Sequence, residues 1–339
     1  MGRLEPGMLA LLGRAISLME NLGFLWVVQT GFELDLWREL EERRSLEDLA
    51  ALHPTWDKVL LDHWLEQAFC QELLTKDNLS YRVSKLGRAV QTYRSQGLEA
   101  MFQEFVHHWN PGFAKLPQLL SRQGKKLNFD PKMEEELISQ ASLASEPFVW
   151  PFLKHKCQKS KWQRVLDIGC GEGLYLNKLL ESCPSLRGVG IELNPVVADR
   201  ARKHTRSWGS RLEIVCEDAL HAGEELGTFD ACLLNNNIYF FSPEERKELL
   251  NNLKRLLKPA GEIGILSALR QNEPQFRRVF PTQVSRNLMS FFIACHEGFE
   301  GLPNEDEIRE LLLATGCTNI EVTPLPFLVS HYFFARMPN

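Results

Sequence analysis

No two of the eight cysteines in this 339-residue chain form a Cys-x-x-Cys pair; they stand singly at positions 70, 157, 170, 183, 216, 232, 295 and 317. That scatter excludes a zinc ribbon or a secreted disulfide framework, and several lie inside apolar runs. They read as reduced thiols packed as small hydrophobes in a cytoplasmic protein, with no metal site expected. Basic residues are not in excess either, with 39 Lys and Arg against 44 Asp and Glu and a formal charge of −5. A general attraction for nucleic acid or an anionic membrane is therefore missing. No apolar run approaches the ~20 residues of a transmembrane helix, because Arg14 and Glu20 interrupt the N-terminal stretches Met8–Leu12 and Leu22–Val28. A basic start with a small-residue cleavage site is lacking, and Pro6 spoils Met1-Gly2 as an acylation signal. Low-complexity tracts and internal repeats are absent. What is present, 44% hydrophobic and 24% charged residues, suits one or two soluble globular domains.

The first half reads as helical. Phe32, Leu36, Trp37 and Leu40 share one helix face, and Ser45 with Asp48 can cap a short helix through Leu52. A longer helix is expected from Thr55 to about Leu74, with an apolar stripe of Leu61, Trp64, Leu65, Ala68 and Phe69. Leu79, Tyr81 and Val83 then alternate after an Asp77-Asn78 turn, as a short wing does. Three helices and a wing follow the winged-helix order, which raises the question of DNA binding. The third helix answers against it, since Asp57, Asp62, Glu66 and Glu72 face Lys58 alone. Packing against a second copy or over the catalytic part explains this region better. The expected division is a helical, winged-helix-like dimerisation domain over 1–97, a helical connector over 98–150 and a catalytic domain over 151–339.

From Arg164 onward strand and helix patterns alternate. Strands are expected at Val165–Ile168, Gly188–Ile191, Leu212–Cys216, Ala231–Leu234, Glu262–Leu266, Ile320–Val322 and His331–Ala335. Ser242, Pro243 and Glu245 open a helix as cap, first-turn proline and capping-box acid; Asn304 with Glu307 opens another, which stops at Gly316. The alternation implies an α/β fold with a doubly wound, Rossmann-like parallel sheet and ligands at the strands' C-terminal ends. The most informative stretch is Val165–Gly173. A strand runs into Gly169, Gly171 and Gly173 at alternate positions, and a helical pattern follows at once. Such a turn lets a ligand touch bare backbone where N–H groups converge. Glu192 ends the second strand, where an acid can accept both ribose hydroxyls. Asp218 ends the third, within reach of an adenine amino group, and Asn235 and Asn236 end the fourth.

Residues 164–266 resemble a class I S-adenosylmethionine-dependent methyltransferase. The likeness rests on Asp-x-Gly-x-Gly-x-Gly from Asp167 to Gly173, on Glu192, on Glu217-Asp218-Ala219 and on Leu-Lys-Pro-x-Gly at Leu257–Gly261. A dinucleotide dehydrogenase would carry Gly-x-Gly-x-x-Gly, with its third glycine one residue later. The resemblance implies Gly169 and Gly171 against the methionine part and Asp167 orienting its amino-acid end. It further implies Glu192 on the ribose and Asp218 with the Ala219 backbone on adenine, with Gly173, Leu193 and Asn235 also in the cofactor site. The layout as a whole is similar to the dimeric small-molecule O-methyltransferases, which implies a homodimer formed through the N-terminal domain and a connector roofing the site.

One departure stands out. That family places a His-Asp pair after the fourth strand, the histidine being the general base. Here Tyr239 and Phe240 occupy those positions, and Glu300 takes the place of a supporting glutamate. A tyrosine with its ordinary pKa of ~10 is a poor base and is better suited to orienting substrate. Methyl transfer by proximity and orientation to an already nucleophilic acceptor needs no strong base. Asn236, His296 and His331 are candidate substrate contacts. The expectation is a cytoplasmic methyltransferase acting on a small molecule, probed against two alternatives: a same-fold enzyme with other chemistry, and a ligand-sensing DNA-binding regulator.

Overall fold

The computed structural model describes residues 6–127, 140, 143–270, 283–297, 299, 301–325 and 330–338. These separate into two compact units, one ending at His107 and taking in 140 and 143–144, the other made of the rest.

The first unit opens with α1 (Pro6–Glu33), a single helix of 28 residues and about 42 Å. Arg14 and Glu20, which separate the apolar stretches in sequence, both lie inside this one helix, because both are good helix formers. An 18-residue window within Gly7–Glu33 has a mean hydropathy of 1.4, so the helix is, by length and composition, apolar enough to cross a membrane. Its early turns expose large side chains, Leu11 at 69% and Met19 at 71% among them. Its last turns bury Val27, Val28 and Phe32. There α2 (Leu36–Glu39) docks, and the Trp37 indole N–H donates to the Val28 carbonyl at 3.2 Å.

The short strand β1 (Arg44–Ser45) leads into α3 (Leu46–Leu52), which has the expected capping box between Ser45 and Asp48. α4 (Lys58–Cys70) is shorter than its pattern suggested at both ends. Asp57 caps its start, and Leu74 begins β2 (Leu74–Asp77) instead of ending the helix. Strand β3 (Ser80–Val83) lies between β1 and β2, and Asn78 makes the turn with φ +52°. Glu66 of α4 accepts hydrogen bonds from Lys76 and Tyr81, so that carboxylate is tied to the wing. Helices α5 (Lys85–Tyr93) and α6 (Leu98–Glu104) complete the unit.

The second unit begins with the short helices α7 (Asn110–Ala114) and α8 (Leu116–Leu120), followed by α9 (Glu146–Ser160). Its centre is a seven-stranded sheet. In chain order it contains β4 (Arg164–Ile168), β5 (Arg187–Glu192), β6 (Leu212–Cys216), β7 (Phe229–Asn235), β8 (Leu257–Ala268), β9 (Thr318–Pro324) and β10 (Ser330–Arg336). In space the order is β6-β5-β4-β7-β8-β10-β9. All seven expected strands are present. The sheet is not wholly parallel, however, because β10 runs antiparallel to both β8 and β9. The five residues between Pro324 and Ser330 are too few for a crossover, so the two strands form a hairpin, with β10 lying between β8 and β9.

Helices fill both faces. α10 (Leu174–Ser182) and α11 (Pro195–His204) join α9 over the face that carries Val165, Leu233, Leu266 and Tyr332. α12 (Pro243–Leu256) and α14 (Glu305–Ala314) cover Leu166, Ile168, Leu234 and Phe333 on the other. Both of these helices show the expected capping boxes, at Ser242 with Glu245 and at Asn304 with Glu307. Between β8 and α14 lies α13 (Gln283–Ala294). The parallel core thereby brings the ends of β4, β5, β6 and β7 to one edge.

Candidate cofactor and active site

At that edge β4 turns back through Gly169, Gly171 and Gly173, whose φ values are +60°, +55° and +77°. Such backbone suits glycine, and a second constraint acts at Gly169: a Cβ there would lie 2.6 Å from the Asn237 amide nitrogen. The N–H groups of this turn are largely engaged within the protein. Cys170 donates to Ile191 O, Gly171 to Glu192 Oε2 and Gly173 to Cys170 O, each at 2.9 Å. The turn thus offers a ligand close approach to bare backbone more than a nest of free donors.

Two carboxylates sit beneath it. Asp167 is 1% exposed and accepts from Asn235 Nδ2 at 3.0 Å. Burial, with the Glu192 carboxylate adding to it, pushes Asp167 up to about 7 against the pull of that hydrogen bond. Glu192 is 7% exposed, and its two oxygens accept from the N–H groups of Gly171 and Asn194 at 2.9 and 3.0 Å. Burial raises it too, while those backbone donors hold it back. Asn237 completes the pocket. It is 9% exposed, its amide donates to Ile168 O, and its own Oδ1 is buried without a partner. Two buried acids and an unsatisfied acceptor beside bare backbone suit a ligand with a cationic, hydrogen-donating end. An S-adenosylmethionine ammonium has that character, so the residues present fit the group.

Asn237 was not among the expected site residues, although its neighbours Asn235 and Asn236 were. β7 ends at Asn235, and Asn236 takes φ +57°, which redirects the chain so that the third asparagine folds back on the turn. A run of three asparagines at a strand end was the available signal, because asparagine tolerates left-handed backbone. Further along the edge, half-buried Asp218 accepts from the Leu220 N–H at 2.9 Å and caps a turn that begins at buried Ala219. Leu193 is 62% exposed just past the end of β5. Asn236 is half-buried and its N–H donates to Leu266 O at 2.8 Å.

Tyr239 lies in a single turn, Ile238–Phe240, and is buried. Its ring packs on Phe240 with centroids 4.7 Å apart, Phe240 on Phe299 at 5.5 Å, and Phe299 against His296 at 6.4 Å. The series continues through Phe292, 4.8 Å from His296, to Trp109, stacked on Phe292 at 4.8 Å. His296 Nδ1 meets the Phe292 carbonyl at 3.0 Å. A carbonyl only accepts, so the proton sits on Nδ1 and Nε2 carries the lone pair. Burial lowers this histidine below its ordinary value, leaving it neutral near pH 7. His331, on β10 opposite Ser267, is not part of this series. Glu300 lies outside the described residues.

Residues 165–261 match the family described as a methyltransferase domain. The chain is 30% identical over 104 residues to O-methyltransferase 12 of Dictyostelium discoideum, covering 31% of this chain and 27% of that protein. It thus spans less than two thirds of the length of the first curated relatives it matches. Solved structures match over nearly the whole chain. An O-methyltransferase family protein from Burkholderia thailandensis superposes with a TM-score of 0.78 at 18% identity, over 97% of this chain and 98% of its own. Human N-acetylserotonin methyltransferase, in complex with SAM, does so at 0.75 and 17%, over the full length of both. The overall fold is that of the Rossmann-like O-methyltransferases with a helical N-terminal domain.

The charge state of Asp167 yields a stability test. Its folded-state value lies above the ~3.9 of an unfolded aspartate, so between about pH 4 and 7 the unfolded chain binds fewer protons. Stability from this group is present below pH 4 and is lost as the pH rises through 7, by up to about 4 kcal/mol. Asp167→Asn removes the term. Melting of the ligand-free protein should show the variant more stable than wild type at pH 8, with the gap shrinking at pH 5.

Proposed function

We propose that this chain is an S-adenosylmethionine-dependent methyltransferase acting on a small organic molecule, with oxygen as the acceptor atom. The observation that carries the reading is the pocket formed by Asp167, Glu192 and the unpartnered Asn237 oxygen beneath the glycine turn. Asp167 and Asn237 Oδ1 would accept from the ammonium, and Asn235 orients Asp167. Gly169, Gly171 and Gly173 give the methionine chain its close approach. Glu192 would accept from the ribose hydroxyls, Leu193 would pack beside them, and Asp218 with the Ala219 backbone would take adenine. When bound, the cofactor supplies a methyl group on an electrophilic sulfonium.

The protein's own part in the reaction is position and exclusion of water. Tyr239, at the place of the related enzymes' histidine, packs and orients the acceptor without serving as base. His296, within the same aromatic series, and Asn236 would contact the acceptor; so would His331 from β10. An acceptor handled this way brings its own nucleophilicity, as an acidic phenol or an enolate does. Held in place, such a pair can gain up to ~7–11 kcal/mol from proximity. Nucleic acid is not the partner read from these surfaces: α4 turns Val59, Leu60 and His63 outward, and Lys58 is paired with Glu47. The enzyme is read as a cytoplasmic homodimer, the exposed apolar turns of α1 being covered by a second copy.

Calorimetry with S-adenosylhomocysteine tests the cofactor pocket. Glu192→Ala should lower affinity at least a hundredfold and Asn237→Ala about tenfold; unchanged affinity in Glu192→Ala contradicts the ribose assignment. For the reaction, transfer of labelled methyl into a metabolite extract should yield a small labelled product, and Tyr239→Phe should retain a substantial part of that rate. A thousandfold loss would make the hydroxyl a chemical participant. Cofactor binding with no labelled product would favour the same-fold enzyme of other chemistry. Light scattering should give twice the 39.0 kDa of the chain, and a monomer that floats with lipid vesicles would assign α1 to a membrane instead.

A further inference from the structure

We propose that Tyr332 is a positioning residue that biases Asp167 toward its ionised form by fixing which way the Asn235 amide faces. Asn235 of β7, Leu266 of β8 and Tyr332 of β10 are in register across three neighbouring strands. The tyrosine reaches over Leu266, and its hydroxyl donates to Asn235 Oδ1 at 2.8 Å. With its oxygen so engaged, Asn235 turns its Nδ2 to Asp167 Oδ1 at 3.0 Å. Three strands are thereby joined in one buried line that ends on the carboxylate.

The line has two possible proton arrangements, and the hydroxyl separates them. In one, both bonds run from donor to acceptor, tyrosine to amide oxygen and amide nitrogen to carboxylate. In the other the amide is flipped, its oxygen faces Asp167, and only a protonated aspartic acid can donate to it. The tyrosine oxygen would then accept from Nδ2, which turns its own proton away from Asn235. Tyr332 is fully buried, so a hydroxyl proton stripped of its acceptor is costly there. The hydroxyl therefore selects the ionised form.

The remaining groups around Asp167 leave this role to the line from β10. Glu192 faces it from β5 and opposes ionisation by repulsion. Cys170 in the glycine turn, Tyr175 on α10 and Tyr332 itself are each pushed up by burial, so all three stay neutral at pH 7 and bring no compensating charge. Asn235 is the neighbour whose hydrogen bond favours the anion. If Asp167 must be anionic to meet an ammonium, the tyrosine also sets the lowest pH at which that ligand binds. This consequence rests on the cofactor reading above; the setting of the charge does not.

The test titrates Asp167 by carboxyl carbon NMR on ligand-free protein labelled at aspartate, with the signal assigned by its loss in Asp167→Asn. In Tyr332→Phe the midpoint should rise by one pH unit or more, a tenfold gain in proton affinity. Affinity for S-adenosylhomocysteine should fall about fivefold or more at pH 7 and return toward wild type at pH 9. A purely structural loss would not recover with pH. Asn235→Ala should give the same upward movement and serves if the tyrosine variant melts too early to titrate, and the two changes combined should add little. Coincident midpoints in wild type and variants overturn the proposal. A midpoint that moves while wild type binds no cofactor at any pH upholds the charge-setting role and overturns the cofactor reading.

Discussion

Parallel pairing of β4 with β5 sets two carboxylates, Asp167 and Glu192, at the buried ends of neighbouring strands, and the surrounding structure is organised by the need to tolerate them. A buried anion is expensive unless hydrogen bonds replace its water. Glu192 meets that need through backbone N–H groups on both oxygens. Asp167 has a single amide for the purpose and is correspondingly hard to ionise. The glycine turn fits the same account. The N–H groups of Cys170 and Gly171 are directed toward β5 and Glu192, and the absence of side chains at the glycines leaves room above the acids for a ligand of opposite charge.

The site consequently has two halves of different character. Toward β5 and β6 it is electronegative and polar, with Asn237 Oδ1 waiting for a donor. Beyond β7 it is a run of ring contacts from Tyr239 through His296 to Trp109, neutral near pH 7 because burial keeps His296 uncharged. The two regions thus differ in electrostatics, the acids favouring a cationic group and the ring series bringing no charge of its own. The first half is built from strand ends. The second comes mostly from turns and from α13, where changes cost the sheet little.

How much of this was legible follows from the range of the interactions involved. The strands, the capping boxes of α3, α12 and α14, and the glycine turn are local patterns, and each was readable from residues a few positions apart. Asp167, Glu192 and Asp218 were readable because parallel strands put their ends on one edge whatever fills the interior. Asn237 was not, because its role depends on the left-handed conformation of Asn236. Tyr332 was further from reach: its partner lies 97 positions away, and only the reversal of β10 aims it at Asn235.

The magnitude of that exposed helix limits what the first unit can be doing. Met8, Leu9, Leu11, Leu12, Ile16, Leu18, Met19, Leu22 and Trp26 are all 43% exposed or more. Burying what they leave in water would contribute on the order of 10 kcal/mol, taking ~1.5–3 kcal/mol for each fully buried side chain. That is comparable to the ~4–15 kcal/mol that association costs in lost motion, so the helix alone makes a second copy feasible without making it tight. A stable pair therefore needs further surface, and the outward Val59 and Leu60 of α4 lie in the same unit to supply some of it. Under the proposed dimer the first unit would serve assembly, while the candidate chemistry lies at the strand ends of the second.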